Sequence, residues 1–196
     1  MIQLIVGLGN PGEEHVHDRH NAGFWLCDLI ASQYRSAFTK QTAFKGHLSK
    51  IVTKNQTLYL LKPQTFMNLS GESIGAVARF YHIPTNQILV IHDELDLSAG
   101  MTKLKFAGGT GGHNGLKSTT QHLGTPDYWR LRVGIGHPRN LVPVGTPYQE
   151  VANYVLKRPS SLDQNAIDQS FEKFLQVLPQ LVSGDPEGAM KALHTS

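Results

Sequence analysis

Short apolar runs alternate with segments of helical periodicity along almost the whole chain, and that alternation restricts the fold more than any single motif. The runs are "IQLIVG" (2–7), "GHLSKIVT" (46–53), "TLYLLK" (57–62), "ILVIHD" (88–93), "TKLKFA" (102–107) and "RLRVGIG" (130–136). Each has the length and apolar content of a strand. Helical spacing falls between them, over 21–34, 70–82, 115–122, 148–157 and 163 to about 182. Ser70 is expected to cap the second helix, with Pro84 just beyond its end. Ser161 and Gln164 have capping-box spacing, and Ile167, Phe171, Phe174, Leu178 and Leu181 share one face of the last helix. The pattern predicts an α/β fold: a single domain over 1–196 with a twisted, mostly parallel (mixed) sheet flanked by helices, and a C-terminal helical region from about 160. The Pro-rich segment 137–147 reads as a surface excursion. In this architecture ligands gather at the carboxyl ends of the strands. Three polar clusters are expected there: Asn10 after the first strand, Asp93 closing the fourth, and the Gly-rich loop after 102–107.

With 196 residues, 40% of them hydrophobic, the chain can bury one substantial core. No apolar run approaches the roughly 20 residues that a membrane helix needs. The N-terminus carries no basic region or cleavage signal, and Cys27 is the only cysteine. Both features imply a cytoplasmic protein with a packed, unpaired thiol. The net charge is only +3, but it is unevenly spread: residues 35–92 hold seven Lys/Arg against Glu72 alone, and residues 102–134 hold Lys103, Lys105, Lys117, Arg130 and Arg132 against Asp127 alone. Clustered cations of this kind suit a polyanion such as nucleic acid.

Four motifs suggest chemistry at first sight. Gly7, Gly9 and Gly12 spell the spacing of a dinucleotide-binding loop, but "EEHVHDRH" follows where a phosphate-holding helix should begin. The glycines instead suit a tight Asn-Pro-Gly turn that fixes Asn10. "HVHDRH" (15–20) is one residue out of register with a binuclear metal motif, and Arg19 opposes a cation. "GESIG" (71–75) lacks the strand that must run into a nucleophile elbow, so Ser73 is expected in a helix. "GGTGGHNGLKS" (108–118) has Leu116 where a phosphate-binding P-loop needs glycine before the lysine. It leaves a Gly-rich turn that presents His113 and Asn114 at a helix start.

Asn10, His20, Asn68, Asp93 and Asn114 survive this sorting. An imidazole oriented by a carboxylate can act as a general base on water, and side-chain amides can hydrogen-bond a developing oxyanion. That set suits hydrolysis of an activated acyl bond. Taken singly, each residue also suits a turn or capping role. A non-catalytic RNA-binding module and a metal- or serine-dependent hydrolase stay open on the residues alone.

The blocks "LIVGLGNPG", "RHNAGFW", "FMNLSG", "HDELDL", "GGHNGLK" and "RLRVGIGHP", in this order over residues 4–138, closely resemble bacterial peptidyl-tRNA hydrolases; "YVLKRP" (154–159) is a weaker seventh. The resemblance implies a monomeric α/β enzyme that cleaves the ester between a peptide and the 3′-terminal ribose of tRNA, with no metal or cofactor and no obligate protein partner. It implies His20 as the base activating water, Asp93 as its orienting partner, and Asn10 as the contact that sorts N-blocked peptidyl esters from free aminoacyl esters. Asn68 and Asn114 would hold the peptide backbone and the terminal adenosine end, with Phe66 and Met67 as an apolar wall. Lys103, Lys105 and Arg132 match basic positions that clamp tRNA phosphate. His15 stands where the family usually has a substrate-contacting tyrosine, Thr110 where it usually has histidine, and 137–147 looks longer than is usual.

Overall fold

Leu4, Ile5 and Val6 are fully buried because the strand that carries them is covered on both faces. Ile5 enters one hydrophobic cluster, while Leu4 and Val6 enter the other. A continuous apolar run, without polar alternation, is what two-sided burial demands. The computed structural model describes residues 1–140 and 148–195. Its strands are β1 (Leu4–Gly7), β2 (Thr39–Gln41), β3 (Gly46–Val52), β4 (Thr57–Pro63), β5 (Ile88–Glu94), β6 (Thr102–Phe106) and β7 (Trp129–Gly134). Its α-helices are α1 (Ala22–Gln33), α2 (Ser70–Phe80), α3 (Asn114–Leu123), α4 (Tyr148–Val155), α5 (Ser161–Ser183) and α6 (Pro186–Thr195).

The seven strands form one mixed sheet in the order β2-β3-β4-β1-β5-β7-β6. The central β4, β1, β5 and β7 are parallel, while β3 and β6 run against their neighbours. One face packs on α1, α5 and α6 through Leu26, Ile30, Phe171, Phe174 and Leu193. The other packs on α2 and α3 through Ile74, Val77 and Leu116. Glycine makes the first of these layers possible: a Cβ on Gly7 would collide with the Gly23 carbonyl of α1, and one on Gly23 with the backbone of Leu8. Gly12 adopts φ of 107°, a left-handed value that closes the turn after Asn10. Two 3₁₀ turns, Glu13–His15 and Arg19–Asn21, separate that turn from α1, so no helix opens directly from the glycines.

Several local expectations shift. The β2 strand is short, polar and at the sheet edge, and α6 follows a Gly-Asp-Pro break; neither stood out as a periodic run. Ser70 does not cap α2, because its hydroxyl donates back to the Met67 carbonyl at 2.7 Å. Ser160, not Ser161, caps α5, accepting from the Asp163 N–H at 3.1 Å. The β6 strand is antiparallel, with Phe106 level with Trp129 and Thr102 with Val133. Its carboxyl end therefore lies away from the rim that carries Asp93, and the Gly-rich loop has to cross back. Arg130 steadies that crossing by donating to the carbonyls of Gly108, Gly109 and Pro126. Of the Pro-rich segment, Pro138–Asn140 forms a 3₁₀ turn, and residues 141–147 lie outside the described residues.

Candidate active site

Asp93 is the hub of the site. It sits near the end of β5, 4% exposed, and each carboxylate oxygen receives one imidazole. His20 Nδ1 lies 2.8 Å from Oδ2, and His113 Nε2 lies 2.8 Å from Oδ1. The two ring centroids are 5.0 Å apart. Burial alone would raise the Asp93 pKa, but the two histidines outweigh it and hold the carboxyl far below its usual range.

The tautomers follow from the partners. His113 stands at the N-cap of α3, where its Nδ1 accepts from the N–H groups of Gly115 and Leu116 at 3.1 and 3.4 Å. A lone pair is needed there, so the ring proton sits on Nε2 and is donated to Asp93. His20 donates from Nδ1 to the other oxygen. Its Nε2 has no partner among the described residues, and the ring lines a cavity of about 520 Å³. Burial lowers the His20 pKa, but attraction to Asp93, with a smaller share from Asp18, raises it overall above 6.5.

Local structure holds this arrangement from both sides. His20 lies in the 3₁₀ turn just before α1. Neighbouring Arg19 is 7% exposed and reaches the Tyr154 and Lys157 carbonyls at the end of α4, at 2.9 and 3.3 Å. Its guanidinium also lies 3.8 Å over the Tyr154 ring. Asn21 clasps the Asn10 backbone, accepting from its N–H at 2.8 Å and donating to its carbonyl at 3.0 Å. Asn10 Oδ1 accepts from the Met67 N–H at 2.7 Å. Its amide orientation is thereby set, and Nδ2 is the end left for a ligand.

Phe66, Met67, Asn68 and Asn114 also line the large cavity, together with α4. Asn68 and Asn114 are exposed and have no side-chain partner among the described residues. His15 does not line it; its Nδ1 is tied to Asp18 at 2.7 Å. The histidines of "HVHDRH" therefore do not converge on one point. Ser73 is fully buried inside α2, which places it out of reach of substrate.

Among the described residues one potential cation set exists, in His20, Asp93 and His113. Its 2.8 Å contacts join the atoms that would be the ligands, and each ring nitrogen there carries the proton it donates to Asp93, whereas a metal ligand needs a free lone pair. An ion could enter only after both hydrogen bonds broke.

Comparison with known proteins identifies the family. A sequence profile described as peptidyl-tRNA hydrolase matches residues 4–196. A protein named peptidyl-tRNA hydrolase from Polynucleobacter asymbioticus is 55% identical over 195 residues, covering 100% of this chain and 99% of the relative. Another of that name, from Polynucleobacter necessarius subsp. necessarius, is 52% identical over the same shares. The crystal structure of peptidyl-tRNA hydrolase from Acinetobacter baumannii superposes with a TM-score of 0.91 at 39% identity, covering 98% of this chain and 94% of that one. The chain belongs to the peptidyl-tRNA hydrolase family. It is thus an ester hydrolase by family, built on the α/β fold of that family's solved members.

For this hydrolase the basic positions divide. Lys105 lines a second cavity, of about 220 Å³, together with Arg130 and Arg132. Arg132 is tied to Glu94 at 2.8 Å. Lys103 is exposed on the same strand as Lys105 but lines neither cavity. Sequence reasoning placed His113 only at a helix start, and it gave Arg19 and Asn21 no part in the site. The one available signal was the adjacency of each to a chosen residue, Asn114 or His20.

Proposed function

We propose that this protein hydrolyses the ester joining a peptide, or an N-blocked amino acid, to the 3′-terminal ribose of tRNA, using water activated by His20. The observation that carries this reading is the directed pair in which Asp93 holds His20 Nδ1 at 2.8 Å and leaves Nε2 unpaired on a ring that lines the large cavity. Water gives its proton to Nε2 as its oxygen attacks the ester carbonyl, and Asp93 stabilises the imidazolium that forms. The carbonyl pair moves to oxygen, where the Asn10 Nδ2 amide supplies a donor without adding charge. Collapse expels the ribose 3′-oxygen, which takes the proton back from His20. No covalent intermediate and no metal is required.

Asn10 sorts N-blocked from free aminoacyl esters, and Asn68 and Asn114 hold the peptide backbone and the terminal adenosine against the Phe66–Met67 wall. Lys103, Lys105 and Arg132 contact tRNA phosphate, and His15 stays a peripheral contact behind its bond to Asp18. The reading includes a cytoplasmic monomer with no obligate protein partner, in keeping with the single buried thiol of Cys27. No helix among the described residues is long and apolar enough to cross a membrane.

The deciding experiment follows release of N-acetylated amino acid from N-acetyl-aminoacyl-tRNA with chelator present, using free aminoacyl-tRNA as the control. Rapid release from the first substrate alone is expected. Equal attack on both, or arrest by chelator, would refute the reading.

A further inference from the structure

Arg132 does not stand free in the second cavity. It donates from Nε to Glu94 Oε1 at 2.8 Å, and both side chains are half-buried. Its terminal nitrogens, Nη1 and Nη2, have no partner among the described residues, and the side chain lines the 220 Å³ cavity beside Lys105. Glu94 and Asp96 line that cavity too. Negative charge at this place opposes any phosphate the cavity receives. By charge alone, Glu94 weakens such a site. Its geometry does the opposite.

Strand register brings the two side chains together. Arg132 is level with His92, two residues before Glu94, so Arg132 and Glu94 leave the same face of the sheet. Glu94 is itself fixed at the end of β5. Its Oε2 accepts from the Asp96 N–H at 3.3 Å, and its carbonyl accepts from the Ile135 N–H at 3.0 Å. The turn that follows closes down on Gly134, level with Glu94, where a Cβ would strike the Ser98 carbonyl. A free arginine samples many rotamers and loses that freedom when it binds. Engagement through Nε uses one corner of the guanidinium and leaves the two terminal nitrogens side by side. That pair can grip phosphate through two parallel hydrogen bonds. Lys105 has no such holder among the described residues and offers a point charge alone.

We propose that Glu94 is a positioning residue for tRNA binding: it touches no RNA itself, and it holds Arg132 by Nε so that Nη1 and Nη2 meet phosphate as a pre-set pair. The inference rests on tRNA being the substrate, with Arg132 among its phosphate contacts. It adds that an acidic side chain lowers KM in spite of its charge. The holder stands one residue after Asp93, at the end of the same strand.

The test measures KM and kcat for release of N-acetylated amino acid from N-acetyl-aminoacyl-tRNA. Glu94→Ala should raise KM about three- to tenfold with kcat unchanged, the cost of ordering one long side chain. Glu94→Gln keeps an acceptor for the Arg132 Nε–H and should bring KM back to within about twofold of the wild-type value. In an Arg132→Ala background the Glu94→Ala loss should vanish, because Glu94 acts only through that guanidinium. Arg132→Lys keeps the charge without the paired donors, so it should raise KM nearly as far as Arg132→Ala does. This last variant decides alone should Glu94→Ala not fold. If Glu94 merely repels phosphate, both of its variants will lower KM, and the positioning role is refuted. A fall in kcat, a Glu94 effect that persists without Arg132, or a wild-type KM in Arg132→Lys would refute it equally. Failure of the wild-type protein to cleave this substrate would instead refute the proposed function.

Discussion

At the end of β5, Asp93 is buried with both oxygens already bonded to imidazole, whereas Asn68 and Asn114, lining the same cavity, are exposed with no protein partner. The first region is complete before substrate arrives. The α3 N-terminus holds His113, Arg19 anchors the turn that carries His20, and Asp93 fixes the tautomer of both rings. The second region is finished only by ligand. A group whose orientation the fold determines should carry rate, and a group waiting for a partner should carry affinity.

That contrast breaks most visibly at His20. His20→Ala should lower kcat by about 10²–10⁴-fold with tRNA binding retained on a gel, since only the proton acceptor is lost. A variant with an unchanged rate would erase the distinction. Asp93→Asn should cost about 10²-fold or more in kcat. The amide can accept from only one imidazole, and its NH₂ must face the N–H of the other, so one ring has to turn. Single-turnover rates with folding checked by circular dichroism would show it.

The pH profile sharpens the same point. As the proposed base His20 would work unprotonated, and Asp93 raises its pKa above the ordinary imidazole value against the opposing effect of burial. The kcat/KM should therefore fall as pH drops, with its midpoint above 6.5. In Asp93→Asn the midpoint should move down, because burial then acts without the carboxylate. Asn114→Ala should raise KM about tenfold and leave kcat nearly unchanged. The smallest effect belongs to Lys105→Ala, which should reduce the salt dependence of tRNA binding by about one phosphate contact, a slope change near 0.9. An unaltered slope would remove Lys105 from the tRNA interface.

The sheet was legible because its central strands are locally defined: 4–6, 58–61 and 88–91 are unbroken runs of large hydrophobic side chains, nearly all of them buried. The β2 strand was not, because "TKQ" owes its conformation to pairing with β3 at an edge. The β6 direction was hidden because antiparallel and parallel runs read alike, and only the pairing of Thr102 with Val133 reveals it. In the site, His20 and Asp93 stood out through motif order. His113 did not, because its bond to Asp93 depends on the loop crossing back over the sheet, a long-range event. Ser160 and Ser161 differ by one position, a choice settled by which hydroxyl reaches the Asp163 N–H.

The most direct measurement is the ¹⁵N spectrum of the His20 ring in the free enzyme. A proton on Nδ1, a bare Nε2 at neutral to alkaline pH, and a titration midpoint above the ordinary imidazole value that falls in Asp93→Asn are expected. A proton resident on Nε2, or a midpoint indifferent to Asp93, would contradict the assignment of His20 as the base that activates water.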